Sequence, residues 1–174
     1  MLVLESFGNG AAVLCGALRR FPRRMWVHKP SPNRLSIHET VWHLADSEVV
    51  EYVNCRRFIA EPSSPPLGID TFAWACGHRY FYQDIKEAVR IIRLLRNVVF
   101  CSLRALSPAV WSSTAEVPIY GRVSLDEWLE MRKRYFAEQL KRMEEIHSEW
   151  LEFTSLTKMA RSSHKMRPVE LRRS

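Results

Sequence analysis

The run Leu35-Ser-Ile-His-Glu-Thr-Val-Trp-His-Leu-Ala-Asp-Ser-Glu48 carries a serine, Ser36, followed three positions later by Glu39. A serine hydroxyl and a glutamate at that spacing satisfy each other's backbone donors at a helix start, the capping-box pattern. From there Ile37, Val41, Leu44, Ala45, Tyr52 and Phe58 recur at spacings of three, four and seven. The pattern predicts a helix from Ser36 to Ala60 with one buried face. The segment Glu61-Pro-Ser-Ser-Pro-Pro-Leu-Gly68 ends it, because three prolines and a glycine within eight residues cannot continue a helical hydrogen-bond ladder.

The same period governs the chain on either side. Between Gln83 and Leu106, the residues Ile85, Val89, Ile92, Leu95, Val99 and Leu103 form a stripe, widened by Ala88, Ile91, Val98 and Leu106. Arg90, Arg93, Arg96 and Arg104 are expected on the outer positions. Ser124 with Glu127 repeats the capping pattern before a last helix marked by Leu125, Trp128, Leu129, Phe136, Leu140, Met143, Ile146 and Trp150. Leu2 to Phe21 keeps helical spacing through Val3, Phe7, Ala11, Leu14 and Leu18, although Gly8, Gly10 and Gly16 weaken it. Ser107-Pro108 reads as the start of a short turn carrying Trp111 inward, and Ser112 to Val123 as extended. The expected fold class is all-α, a four-helix bundle whose long linkers permit crossovers. Phe72, Trp74, Tyr80, Phe81 and Tyr82 in the second linker are expected to lie over the bundle.

The composition agrees with a packed core: 47% of the 174 residues are apolar and 26% charged. That length predicts one domain, placed at residues 1–156, with a basic C-terminal tail at 157–174. No apolar run approaches the roughly 18 residues of a membrane span, and Ala11 to Leu18 lacks the flanks of a signal peptide, so no membrane insertion is expected and a cytoplasmic location is. The tail holds six bases and one acid, carrying +5 of the net +7 and leaving the body near neutral. Such a tail can touch nucleic-acid phosphate without specificity, and nucleic acid is otherwise not an expected partner. Cys15, Cys55, Cys76 and Cys101 form no C-x-x-C pair, which argues against a zinc ribbon or a redox dithiol. They are expected reduced and mostly buried.

No glycine-rich phosphate loop, G-x-S-x-G or H-E-x-x-H occurs. His38 and His43 are five apart, so they diverge by roughly 140° on a helix and cannot share a metal. Glu39 and His43, four apart, can. Of the six tryptophans Trp42, beside His43, is the first to inspect as a possible exposed dimer contact.

The run at 35–48 resembles the second-helix signature of the DinB/YfiT-like superfamily, approximately W-S-x-x-E-x-x-x-H-L-A-D-x-E. Further stretches match in order: Arg56-Arg-Phe-Ile59, Ile69-Asp70, Leu103-Arg-Ala-Leu-Ser-Pro-Ala-Val-Trp111 and Pro118-Ile-Tyr-Gly-Arg-Val-Ser-Leu-Asp-Glu127. The resemblance covers about residues 25 to 146. It implies a four-helix bundle, often homodimeric, with a metal held by three histidines, one from the second helix and an H-x-x-x-H pair from the last. Members of known activity include thiol-dependent transferases and isomerases using bacillithiol, mycothiol or glutathione.

The chain departs from that pattern. His43 matches the first ligand position, but aligning Glu138-Gln-Leu140 with the family's E-H-L puts Tyr135 and Gln139 where the two other histidines belong. Phenols and amides are poor ligands for zinc or nickel beside imidazole. His28, His78, His147 and His164 are not placed to substitute. The expectation is therefore a polar cleft with no metal, for which His43, Tyr135, Gln139, Glu39 and Arg132 are the candidate residues. Arg132 or Arg134 is expected to face this cleft or to pair with Glu48 or Glu51. The function this implies is a non-catalytic module binding a small molecule or a protein. The alternative is a zinc- or nickel-dependent thiol transferase or isomerase using His43 with a substitute ligand such as Glu39. Weak nucleic-acid binding through the tail is the third reading.

Overall fold

The computed structural model describes residues 2–61 and 64–165, the side chains as far as 157. Four long helices dominate: α1 (Leu2–Arg20), α2 (Ile37–Ala60), α4 (Ile85–Arg104) and α6 (Leu125–Lys165). Two short helices, α3 (Thr71–Gly77) and α5 (Pro108–Trp111), and a hairpin of β1 (Thr114–Val117) and β2 (Gly121–Ser124) fill the connections. Among the described residues the hairpin is the one element outside an all-α description, and it occupies the segment read as extended. Its register pairs Thr114 with Ser124 and Val117 with Gly121.

Both capping boxes form. The Ser36 hydroxyl accepts from the Glu39 N–H, and the Glu39 carboxylate accepts from the Ser36 N–H at 2.8 Å. The Ser124 N–H likewise donates to Glu127 at 2.8 Å. Asp70 caps α3 through the N–H groups of Phe72 and Ala73, and Asp84 caps α4. α6 runs nine residues beyond 156, so the first part of the expected tail continues the helix. Residues 166–174, and the side chains from 158 onward, lie outside the described residues, and with them the nucleic-acid reading of the tail.

The helices pack in the ring order α1, α4, α2, α6, with α2 and α4 in closest association. α1 and α2 therefore face each other across a diagonal, as do α4 and α6. A chain that steps diagonally must cross the end of the bundle, which is what the connections at residues 21–36 and 105–124 do. Among the described residues no helix is long and apolar enough to cross a membrane.

The core divides into two apolar clusters. One gathers Leu14, Met25, Ile37, Leu44, Ile92, Met143 and Trp150, and the other Phe7, Phe58, Val99, Leu103, Val123, Leu125 and Leu129. A layer of buried charge lies beside them. Arg96 is 3% exposed, not on an outer position as its place among other arginines suggested. Its guanidinium donates to Glu48 at 2.7 and 2.8 Å and to the Phe7 carbonyl at 2.7 Å, and lies against the rings of Phe136 and Phe7. Glu51 accepts from Trp128 Nε1 at 2.7 Å, and Arg132 Nε sits 2.9 Å from its other oxygen. Two acids of α2 thus tie it to α4, α1 and α6. Gly10 makes the arrangement possible, because a Cβ there would stand 1.9 Å from the Arg96 Nη1.

Other expectations are corrected. Cys55 alone of the four cysteines is buried; Cys15 is half-buried and Cys76 and Cys101 are exposed, because the latter two lie on outer faces of α3 and α4. All four are free thiols. Tyr80, in the linker between α2 and α4, is buried and stacked on Trp42, and its hydroxyl donates to Asp46. Burial and that carboxylate push the Tyr80 phenol well above its ordinary pKa. Tyr82 instead points to solvent, and Phe72 and Phe81 are largely exposed. Trp42 is buried and offers no dimer contact.

Candidate functional site

A cleft of about 640 Å³ opens along α6, walled by α2 and by the start of α3. Its polar lining includes Thr40, His43, Thr71, Tyr135, Gln139 and Arg142. Tyr135, Gln139 and Arg142 stand at i, i+4 and i+7 of one helix and so share a face. His43 comes from the facing side of α2. Thr71 is brought in by the Asp70 cap, and the linker before it is held to α2 by Asn54. That side-chain amide accepts from the Leu67 N–H at 2.7 Å and donates to the Leu67 carbonyl at 2.9 Å, in the manner of a strand pair.

At the inner end the Tyr135 hydroxyl and His43 Nε2 are hydrogen-bonded, the phenol being the donor when the ring proton is on Nδ1. The Ser47 and Thr71 hydroxyls lie 3.5 and 3.4 Å from the same nitrogen. His43 Nδ1 is buried without a partner. Gln139 is 5% exposed, and among the described residues no hydrogen bond engages its amide, which is left facing the cleft. Burial, followed by the positive charges of Arg132 and Arg142, lowers the His43 pKa to about 4. The ring is therefore neutral at physiological pH.

The five residues expected to share the site do not all meet. His43, Tyr135 and Gln139 line one cleft. Arg132 stands behind them, its guanidinium carbon 4.7 Å from the Tyr135 ring centroid while it contacts Glu51. Arg134 is exposed and lines a neighbouring groove that also touches Arg132 and Tyr135, not the His43 cleft. Glu39 is absent from the cleft because its oxygens are committed to Ser36 and to Lys29 Nζ at 3.0 Å. Burial alone would raise its pKa, but those hydrogen bonds outweigh it and hold the carboxyl below the usual range. His38 turns away to the second linker, where its Nε2 donates to the carbonyls of Gln83 and Tyr80 at 2.8 and 3.1 Å. His147 lies against Phe21 and His28 against Phe153.

Thr71 and Arg142 escaped the sequence reading. Arg142 was accessible to it, since helical spacing from Tyr135 and Gln139 puts it on the same face. Thr71 was not, because the path of its linker depends on Asn54.

The donor set does not fit a divalent transition metal. One neutral imidazole, a phenol, an amide and two alcohols supply no thiolate or carboxylate and a single strong neutral donor. Among the described residues no group of three histidine, cysteine, aspartate or glutamate side chains is placed to hold an ion. The two arginines that depress the His43 pKa oppose a second cation by the same Coulomb field. The geometry suits hydrogen bonding to a polar ligand, with a neutral histidine able to accept a proton relayed through Tyr135.

Comparison with known proteins agrees on the architecture. The family model of the DinB superfamily matches residues 9–132. Among solved structures, YfiT from Bacillus subtilis, described as a probable metal-dependent hydrolase with an unusual four-helix bundle topology, is similar with a TM-score of 0.76. The identity is 15%, over 85% of each chain. No curated protein matches the sequence.

Proposed function

The chain belongs to the DinB superfamily, and from that premise we propose that it is a member whose site holds a small polar ligand in place of a metal, acting as a binding module and not as a catalyst. The observation that carries this reading is the inner wall of the cleft. Tyr135 and Gln139 on one face of α6 meet His43 of α2, and the hydroxyl of Tyr135 is bonded to the imidazole. A nitrogen already engaged by a phenol, in a field set by two arginines, is a poor cation ligand and a good hydrogen-bonding group. The unpartnered amide of Gln139 supplies a second recognition point, since it both donates and accepts.

Screening small polar compounds by protein NMR tests the reading. Binders are expected to shift the Gln139 side-chain and His43 ring resonances, and His43→Ala to weaken them. Compounds that bind only elsewhere would refute it.

The competing reading, a zinc- or nickel-dependent thiol transferase or isomerase, is favoured by one observation: the fold is that of YfiT, a probable metal-dependent hydrolase. It predicts thiol transfer that requires added metal and is abolished in His43→Ala. Association as a homodimer is part of our proposal, and sedimentation equilibrium of the full chain checks it.

A further inference from the structure

We propose that the inner end of the His43 cleft binds an oxyanion, the carboxylate or phosphate group of a small ligand, through the Arg142 guanidinium, the Gln139 amide and the Tyr135–His43 pair. This inference rests on the polar-ligand reading and names the chemical class of the ligand.

The argument begins with where the charges stand. The cleft also carries Arg34, Glu145 and Glu149. Arg34 holds Glu149 through contacts of 2.8 and 3.0 Å. Glu145 and Glu149 lie six and ten residues beyond Gln139, about 9 and 15 Å further along the helix axis at 1.5 Å per residue. The acids of the lining therefore gather at the outer end, and no carboxylate lines the wall made by Thr40, His43, Thr71, Tyr135 and Gln139.

Arg142 sits one turn from Gln139 on the same face. Its partner in the structure is Glu138, at 2.8 Å, with both side chains 56% exposed. A solvent-exposed pair of this kind contributes little, so the guanidinium can leave it for a ligand at small cost. Arg132 lies behind the Tyr135 ring and adds positive field without entering the cavity. Its own countercharge, Glu51, is buried on the far side, with Trp128 donating to it. The donors nearest an anion placed there are the Gln139 NH2 and the Thr71 hydroxyl, each of which can turn a hydrogen toward it. The Tyr135 hydroxyl joins them when the ring proton of His43 moves to Nε2 and the phenol oxygen accepts from it. Gln139 stands on the cavity wall, 5% exposed, and no hydrogen bond engages its amide among the described residues.

The test titrates the full chain with inorganic phosphate, acetate and acetamide at constant ionic strength, following the Gln139 side-chain NMR signals and the thermal midpoint. Acetamide keeps the shape of acetate and removes its charge. Phosphate or acetate is expected to shift the Gln139 signals and raise the midpoint, with acetamide weaker by at least about tenfold, the scale of a charge-assisted hydrogen bond. The stronger of the two anions identifies the ligand as a phosphate or a carboxylate. Arg142→Gln should weaken anion binding by a similar factor while leaving the midpoint of the free protein unchanged, and Arg142→Lys should restore part of it. Equal binding of acetate and acetamide, indifferent to Arg142→Gln, overturns the anion and leaves the polar-ligand cleft standing. No response of Gln139 to any of the three overturns both.

Discussion

His43 is a neutral ring in a place where charge is penalised, and that has a measurable sign. In the unfolded chain a histidine takes up its proton near pH 6.5, whereas in the fold burial and the arginines delay this until about pH 4. Between those values the unfolded state binds more protons, so stability is full above about pH 6.5 and declines as the pH falls toward 4. The expected slope from this one group is up to about 1.4 kcal/mol per pH unit. Urea denaturation at a series of pH values should show it, and His43→Gln should flatten the profile in that window. Arg96 makes a stronger demand. Removing it as Arg96→Met leaves Glu48, whose pKa burial already raises against the pull of Arg96, without its countercharge, and should cost about 3–5 kcal/mol. Gly10→Ala should share much of that loss by displacing the same guanidinium. At this scale the sequence was half legible. The resemblance to the DinB/YfiT-like pattern put Tyr135 and Gln139 opposite His43, but Arg96 looked like one more outward arginine in a series. Nothing local to it reveals that Gly10 leaves room for it or that Glu48 awaits it, because both partners are distant in the chain.

The elements were more legible than their arrangement. Ser36 and Ser124, each followed by glutamate at the third position, mark helix starts in sequence and in structure alike, because capping is a local exchange of hydrogen bonds. Ser36→Ala should therefore cost about 1 kcal/mol in thermal or chemical denaturation. The hairpin was visible only as an extended segment. Its turn, closed by the Tyr120 N–H on the Val117 carbonyl at 3.1 Å, places Ile119 at a φ of 76° with its side chain fully exposed. A β-branched residue is disfavoured there, and type II turns prefer glycine or asparagine at that position. Ile119→Gly should accordingly stabilise the protein by about 1 kcal/mol, read as a higher denaturation midpoint. The diagonal step from α1 to α2 could not be read in advance. Amphipathic stripes say which face is buried, and not which neighbour buries it.

At the scale of the whole molecule, a bundle of the DinB superfamily surrounds a cleft whose residues are suited to hydrogen bonds more than to coordination. The waist of the bundle is held by the Glu48–Arg96 and Glu51–Arg132 pairs, and His43 stands apart from both, meeting Tyr135, Ser47 and Thr71. The measurement that bears most directly on this account is metal content by elemental mass spectrometry, on the full chain produced in medium supplemented with zinc and nickel and purified without chelator. The account predicts far less than one ion per chain, with no difference between the wild type and His43→Ala. One zinc or nickel ion per chain, lost in His43→Ala, would contradict it.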